Sequence, residues 1–140
     1  MRIHISLTAP DLAAAKQFYS ALFDHAPTME RDGYLQWMLD DPLVNFVVEQ
    51  GAAGGGLSHL GVQADDAAEL ARQFERVENT RAEVLDEGET QCCFARSTKN
   101  WTADPAGVRW ESFLTHERTG DYGNSGVPEA PKSVETRACC

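Results

Sequence analysis

The sequence repeats itself, and this repeat constrains the fold more than any other feature. Aligning His4 with His59 places an aspartate seven residues after each histidine, Asp11 in the first copy and Asp66 in the second. In each copy the histidine lies in a strand-like run, and the aspartate precedes an Ala-rich amphipathic segment typical of a helix. The sequence therefore predicts two copies of one supersecondary unit.

Each copy is predicted to contain a strand, then a helix, then further strands. The elements of the first copy are a strand at about 2 to 8, a helix at about 11 to 23, and strands near 33 to 39 and 43 to 49. The elements of the second copy are a strand near 58 to 64, a helix near 66 to 78, and strands near 82 to 87, 93 to 97 and 108 to 114.

Length and composition predict one compact domain. With 140 residues, 42% of them hydrophobic, the chain can bury one sizeable core. We expect this domain to span residues 1–115, with module one at about 1–50 and module two at about 57–115. Residues 116–140 are rich in Gly, Pro, Ser and Glu and are predicted to form a flexible tail ending in Cys139-Cys140.

The charge balance favours a small ligand over a polyanion. The 22 acidic and 12 basic residues give a net charge of -10, which repels nucleic acid and anionic membrane surfaces. The start, Met1-Arg2-Ile3-His4, lacks the apolar run of a signal peptide, and no stretch approaches the roughly 18 apolar residues of a membrane span. We expect a cytoplasmic protein with no nucleic-acid or membrane partner. The sequence is compatible with a homodimer.

The four cysteines form two adjacent pairs, Cys92-Cys93 and Cys139-Cys140. Neighbouring Cα atoms lie about 3.8 Å apart, whereas an unstrained disulfide needs roughly 4.4 to 6.8 Å, so each pair is expected to stay reduced. Soft thiolates select soft centres such as As(III) and Cd(II). Because adjacent residues of a regular strand point to opposite faces, Cys92 and Cys93 are expected to lie on a loop if they chelate one atom. The alternative is that one of the two cysteines is a small buried core residue and that the other has no specific role.

Strand periodicity predicts that three polar side chains share one site. His4 lies on the strand face opposite Ile5, and His59 on the face opposite Leu60. The apolar faces should contact the helices, which leaves both histidines on the concave side, and Glu111 lies on the last predicted strand. Two histidines and a carboxylate can hold Fe(II) with open coordination positions, and Mn, Co, Ni or Zn also accept this set. The alternative is three unconnected polar residues.

Two βαβββ modules with a histidine on the first strand of each and a glutamate on the last resemble the vicinal oxygen chelate superfamily, which includes glyoxalases and extradiol dioxygenases. The resemblance implies an α+β fold in which both modules form a cup-shaped mixed sheet around a metal site. The candidates for an apolar pocket wall, or for ordinary core, are the aromatic residues Trp37, Phe46, Phe94 and Trp101.

Further motifs resemble a narrower group, the arsenic-inducible carbon-arsenic lyases and the related cadmium-induced proteins. The matching runs are Phe18-Tyr19-Ser20-Ala21-Leu22-Phe23, Thr90-Gln91-Cys92-Cys93-Phe94-Ala95, Lys99-Asn100-Trp101-Thr102-Ala103-Asp104-Pro105-Ala106-Gly107 and Trp110-Glu111. Some cadmium-induced members lack the first histidine, so His4 favours the enzymatic branch. The chain departs from the family pattern at Ala106, where Asp is common, and at Asn100, where an aromatic residue is common.

The resemblance implies an Fe(II)-dependent carbon-arsenic lyase of the dioxygenase type. His4, His59 and Glu111 would hold Fe(II) and act in catalysis, with dioxygen as co-substrate. Cys92 and Cys93 would bind the arsenic of a trivalent organoarsenical, methyl or aromatic, and arsenite would be released. Three alternatives remain: another metal-dependent glyoxalase or extradiol-dioxygenase-type enzyme, a thiol-based cadmium or arsenite sequestration protein, and a cofactor-free binding module of the bleomycin-resistance type.

Overall fold

A computed structural model describes residues 1–51, 54–123 and 128, and in this part of the chain seven strands form one mixed sheet. The elements in chain order are β1 (Arg2–Ala9), α1 (Leu12–Phe23), β2 (Met29–Arg31), β3 (Tyr34–Asp40), β4 (Leu43–Gln50), β5 (Gly56–Gln63), α2 (Ala67–Asn79), β6 (Val84–Ala103) and β7 (Arg109–Gly123). The strand order is β2-β3-β4-β1-β5-β7-β6. The predicted α+β fold is confirmed.

The two modules meet at the centre of the sheet, where β1 pairs with β5 in the antiparallel direction. Within each module the first strand pairs in parallel with the last one, β1 with β4 and β5 with β7. The repeated sequence therefore folds into two similar halves joined edge to edge. The short strand β2 is not predicted from the sequence, because three residues are too few to show alternation.

Both helices begin where the repeat predicts. The side chain of Asp11 accepts a hydrogen bond from the backbone N–H of Ala14 at 2.9 Å, and Asp66 accepts one from that of Glu69 at 2.7 Å. Each aspartate thereby satisfies a backbone donor that the first helical turn leaves unpaired. Neither α1 nor α2 has the length and apolar character needed to cross a bilayer.

The largest apolar cluster lies between α1 and the first half of the sheet. Its fully buried members come from the middle of β3 and β4, and Trp37 and Val48 are 0% exposed. Ile5 and Leu7 pack against this cluster from β1. The prediction that the apolar face of β1 contacts a helix is confirmed, and the opposite face carries His4 and Ser6.

The long element β6 doubles back on itself. The Thr102 hydroxyl donates to the backbone oxygen of Glu83 at 3.1 Å, and the Arg96 guanidinium donates to the Glu89 carboxylate at 2.5 Å. A straight strand of this length would hold its ends roughly 60 Å apart. The first half of β6 must therefore lie beside its second half, which pairs with β7.

The cysteine pair lies at the bend of β6. Cys93 has a left-handed backbone, with φ 53°, and the pairing with β7 shifts register between Cys93 and Ala95. The predicted loop is wrong, because both cysteines belong to β6 and the chain reverses at the pair itself. A left-handed residue allows so tight a turn without a longer connection. The strands predicted at 82–87 and 93–97 are thus the two halves of one hairpin.

The last strand is longer than predicted. β7 continues to Gly123, and Ala95 of β6 pairs with Arg118 while Cys93 pairs with Gly123. The expectation that the tail begins at residue 116 is wrong for residues 116–123, because the second half of β6 supplies hydrogen-bonding partners for them. The predicted terminal pair, Cys139-Cys140, lies outside the described residues.

Replacing Asp66 with Ala should lower the free energy of unfolding by about 1 kcal/mol, because the N-cap of α2 loses its acceptor. Urea denaturation followed by circular dichroism measures this. Asp32→Ala, in the exposed turn before β3, removes the same charge without a helix cap and should leave the midpoint nearly unchanged. Equal midpoints for both variants would contradict the capping role.

Candidate metal centre

Pairing across three strands brings the predicted donors onto one face of the sheet. His4 on β1 lies directly opposite Gly61 on β5, and Gly61 lies opposite Glu111 on β7. His59 precedes Gly61 by two positions on β5, so its side chain projects from the same face. Side chains in register on neighbouring strands are adjacent, so the three polar groups converge above Gly61.

The donor atoms of these three residues lie within 4.8 Å of one another. Nε2 of His4 is 3.2 Å from Nε2 of His59, and Oε2 of Glu111 is 4.0 Å and 3.7 Å from those two nitrogens. All three residues are buried, with 5 to 8% of their surface exposed. Buried nitrogen and carboxylate donors that face one another in this way fit a cation between them.

The other ring nitrogens of the histidines are held by neighbours. Nδ1 of His4 donates to the backbone oxygen of Asn45 at 3.0 Å, and Nδ1 of His59 lies 3.1 Å from the hydroxyl of Ser58. Since a carbonyl oxygen can only accept, neutral His4 carries its proton on Nδ1 and presents an unprotonated Nε2 to the site. Such partners fix the orientation of a metal-binding imidazole.

Gly61 leaves the space in which the donors meet. A Cβ atom at this position would lie 2.8 Å from the backbone oxygen of Glu111 and 3.3 Å from the Cβ atoms of both Glu111 and His4. Any side chain here would therefore press into the gap between two donors. The glycine is required for a close approach of neighbouring strands, and its own backbone conformation is ordinary.

Electrostatics sets the protonation states that a cation needs. Burial lowers the pKa of His4 to about 4 against the opposing effect of Glu111, so this imidazole is neutral at neutral pH. Burial alone would raise the pKa of Glu111, but the polar contact with His59 and the charge of Lys99 outweigh it and lower the pKa to about 2. The site thus pairs an ionised carboxylate with a neutral His4.

Lys99 is a buried cavity residue for which the sequence predicted no role. Its Nζ lies 2.5 Å from Oε1 of Glu111 and 5.7 Å from the centre of the Trp101 ring, and the residue is only 4% exposed. Burial lowers its pKa, but the charges of Glu111 and Cys92 outweigh burial and raise it. Lys99 therefore carries a buried positive charge that compensates the carboxylate.

The two cysteine thiols face the same cavity as the donors. Sγ of Cys92 lies 3.5 Å from Sγ of Cys93, close enough for one atom to bind both. The cavity, of about 160 Å³, is lined by the three donors, both cysteines and Lys99 among others. The bend in β6 explains why adjacent residues point the same way, since a turn does not alternate faces as a regular strand does.

The aromatic candidates for the pocket wall divide between cavity and core. Trp101 lines the cavity and its ring centre lies 5.0 Å from that of His59. Trp37 and Phe46 belong to the core beneath α1, and Phe94 packs against Tyr34 and Val47. Phe113, which was not among these candidates, also faces the cavity.

Asn100, where the family pattern has an aromatic residue, points away from the cavity. Its neighbours Lys99 and Trp101 both line the cavity, so alternation along β6 places Asn100 on the opposite face, where it is buried. The departure from the family pattern at this position therefore falls outside the cavity wall.

Comparison with known proteins gives a family match over most of the chain. Residues 3–112 match the family model described as Glyoxalase/Bleomycin resistance protein/Dioxygenase superfamily. A trivalent organoarsenical cleaving enzyme of Thermomonospora curvata is 30% identical over 141 residues, covering 99% of this chain and 87% of that protein. A cadmium-induced protein of Mycobacterium tuberculosis is 32% identical over 142 residues, covering 99% of this chain and 92% of that protein.

The fold also resembles a solved structure. An extradiol ring-cleaving dioxygenase from B. fuscum superposes with a TM-score of 0.62 at 14% identity, covering 85% of this chain and 34% of that one. At this level of identity the likeness concerns the fold alone.

Replacing Gly61 with Ala should weaken binding of Fe(II), or of Co(II) as a spectroscopic substitute, by roughly 10- to 100-fold, because the added Cβ displaces Glu111 and His4. Anaerobic calorimetric titration measures this. Gly120→Ala, on the same sheet with open space around its Cβ position, is the matched control and should bind metal normally. Unchanged metal affinity in a folded Gly61→Ala variant would contradict the close-approach argument.

Proposed function

Because the chain belongs to the Glyoxalase/Bleomycin resistance protein/Dioxygenase superfamily, we propose that it is an Fe(II)-dependent enzyme that cleaves the carbon-arsenic bond of trivalent organoarsenicals and releases arsenite. The resemblance to carbon-arsenic lyases and cadmium-induced proteins is confirmed by the relatives that match nearly the whole chain. One observation carries the proposal: Cys92 and Cys93 open onto the cavity that holds His4, His59 and Glu111.

The donor set supports iron as the resident metal. Two imidazoles and one carboxylate on one side of a cation are the ligands of non-haem Fe(II) oxygenases, and they leave coordination positions for other molecules. When bound, Fe(II) would supply the activation of dioxygen toward the carbon that carries arsenic. The same ligand set on a scaffold without thiols would offer no group that selects arsenic.

The two oxygens of Glu111 have separate roles in this proposal. Oε2 faces both histidines, whereas Oε1 accepts a hydrogen bond from Lys99. Lys99 can therefore hold the carboxylate in place while Oε2 remains available to a cation. Such an outer partner fixes the orientation of a ligand and sets its basicity.

The cysteines would present the substrate to the metal. A dithiolate bond to Cys92 and Cys93 would hold arsenic in the same cavity that the three donors line, with its organic group inside that cavity. Capture thereby converts a dilute substrate into one at high effective concentration. Trp101 and Phe113 offer apolar contacts to a methyl or phenyl group.

Paired reduced thiols also lead us to propose the cytoplasm as the compartment.

A second candidate is a thiol-based protein that sequesters cadmium or arsenite. The 32% identical relative from Mycobacterium tuberculosis is named for induction by cadmium, and this observation favours it. Sequestration would use Cys92 and Cys93 without turnover and would assign no role to the three buried donors. Release of arsenite in excess of the protein concentration distinguishes the enzyme from the sequestering protein.

Replacing His4 or His59 with Ala, or Glu111 with Gln, should abolish arsenite release, because each change removes a metal ligand. Gln is chosen at 111 since it keeps the size of the side chain beside Lys99. Arsenite is measured by chromatography with elemental detection after anaerobic Fe(II) loading, addition of a trivalent methyl- or phenylarsenical, and admission of air. His116→Ala, on the exposed end of β7, is the matched control and should remain active. Full release without metal or without oxygen would refute the proposal.

Replacing Cys92 or Cys93 with Ser should eliminate cleavage, because a hydroxyl is a hard donor that does not hold As(III). The chain supplies its own matched control, the second cysteine pair. The double variant Cys139→Ser, Cys140→Ser should keep the rate of arsenite release at saturating substrate. The assignment is overturned if the terminal variant loses turnover while Cys92→Ser stays active.

A further inference from the structure

The two thiols of the cavity have opposite surroundings. Cys92 lies close to the ammonium of Lys99, whereas Sγ of Cys93 donates a hydrogen bond to Oε1 of Glu49 at 3.2 Å. Glu49 lies on β4 in the first module, and Cys93 on β6 in the second. The contact therefore spans the cavity between the two outer halves of the sheet, and no feature of the metal centre requires it.

This asymmetry gives the thiols different acidities. The contact of its sulfur with Sγ of Cys93 lowers the pKa of Cys92 despite burial, and the charge of Lys99 lowers it further. The same contact and burial raise the pKa of Cys93, and the charge of Glu49 adds to the rise. Cys92 is thus the thiol that ionises first, and Cys93 is the thiol that still holds a proton.

Capture of an arsenical by two thiols requires the second proton to leave. A trivalent arsenical with two hydroxyl groups forms two sulfur-arsenic bonds and releases two waters. Ionised Cys92 can form the first bond unaided, but protonated Cys93 is a weak nucleophile. A base within hydrogen-bonding distance of its sulfur removes this obstacle.

We propose that Glu49 accepts the proton of the Cys93 thiol when an arsenical is captured, and so acts as a positioning and proton-accepting residue for the second sulfur-arsenic bond. This inference rests on the proposed function, because it assumes that the cysteine pair binds a trivalent organoarsenical. The acceptor oxygen already lies 3.2 Å from Sγ of Cys93, within hydrogen-bonding distance of the thiol.

The step balances without an oxidant or reductant. Sγ of Cys92 forms a bond to arsenic, and the first hydroxide leaves and takes a proton from solvent. Sγ of Cys93 then forms the second bond while its proton moves to Oε1 of Glu49. Glu49 passes this proton to the second departing hydroxide and returns to its ionised form, and two waters are released.

The other charged and titratable groups around Cys93 do not replace Glu49. Tyr34 on β3 packs against Cys93, but burial raises the pKa of its phenol, which stays protonated. Arg118 on β7 is a permanent cation that donates to Gln36 at 2.8 Å. On β6, Lys99 is protonated and engaged with Glu111. The remaining carboxylate lining the cavity from β6, Glu87, accepts a hydrogen bond from Trp101.

The test measures capture without turnover. The full chain, carrying Cys139→Ser and Cys140→Ser so that the adduct reports the inner pair alone, is mixed anaerobically with phenylarsonous acid. Acid quenching and mass spectrometry follow the formation of the two-bond adduct over time at a series of pH values. The parent protein, in which Glu49 is unchanged, should form the two-bond adduct at a rate that changes little across neutral pH.

Glu49→Gln keeps the size of the side chain but removes the base. It should slow formation of the adduct by roughly 100-fold, and its rate should rise in proportion to hydroxide concentration. Glu49→Asp, which keeps a carboxylate, should recover the flat pH profile. Glu89→Gln, which removes an exposed carboxylate paired with Arg96 on the same hairpin, is the matched control and should behave as the parent.

The outcomes separate this inference from the proposed function. If Glu49→Gln matches the parent in rate and in pH profile, Glu49 is not the proton acceptor and the inference is overturned, while the proposed function stands. If the parent itself forms no adduct, the cysteine pair does not bind arsenicals and both fail. A slow, hydroxide-dependent Glu49→Gln beside a fast, pH-independent parent supports the inference.

Discussion

Backbone hydrogen bonds between β1 and β5 join the two modules, and their register places His4 opposite Gly61. The rest of the site follows from this pairing, because β7 then adds Glu111 to the other side of Gly61. A shift of one residue would turn the histidines toward the helices. The donors thus depend on contacts between halves that are far apart in sequence, and neither module contains the full set.

A buried carboxylate imposes the second constraint. Glu111 is ionised at 5% exposure, which is unfavourable unless other charges or hydrogen bonds compensate it. Lys99 provides that compensation from β6, with Nζ 2.5 Å from Oε1 of Glu111. Lys99 is held close to both Glu111 and Cys92 and so connects the donors with the thiols electrostatically. Removing one member of such a group leaves the others unpaired, so the residues of the cavity are energetically coupled.

The repeat and strand alternation were enough to predict both modules and to place His4, His59 and Glu111 together, because a period of two fixes which side chains share a face. Lys99 could also have been found, since it shares a face with Trp101 on a strand that pairs with β7. The hairpin at the cysteine pair could not be predicted, because its turn lacks the Gly or Asn that normally marks such a turn. The contact of Glu49 with Cys93 joins residues 44 positions apart, and no local pattern records it.

The left-handed backbone of Cys93 has a consequence for how this chain can change. A non-glycine residue in this conformation costs roughly 1 to 2 kcal/mol, which glycine would not. Glycine at this turn would thus relieve the strain and remove the thiol in the same step. At position 93 the residue that would be more stable, glycine, is therefore not the residue that the thiol chemistry requires, as happens where function needs a strained backbone. Laboratory selection for heat resistance alone would favour Cys93→Gly, whereas selection for growth in the presence of a toxic thiophilic compound would oppose it.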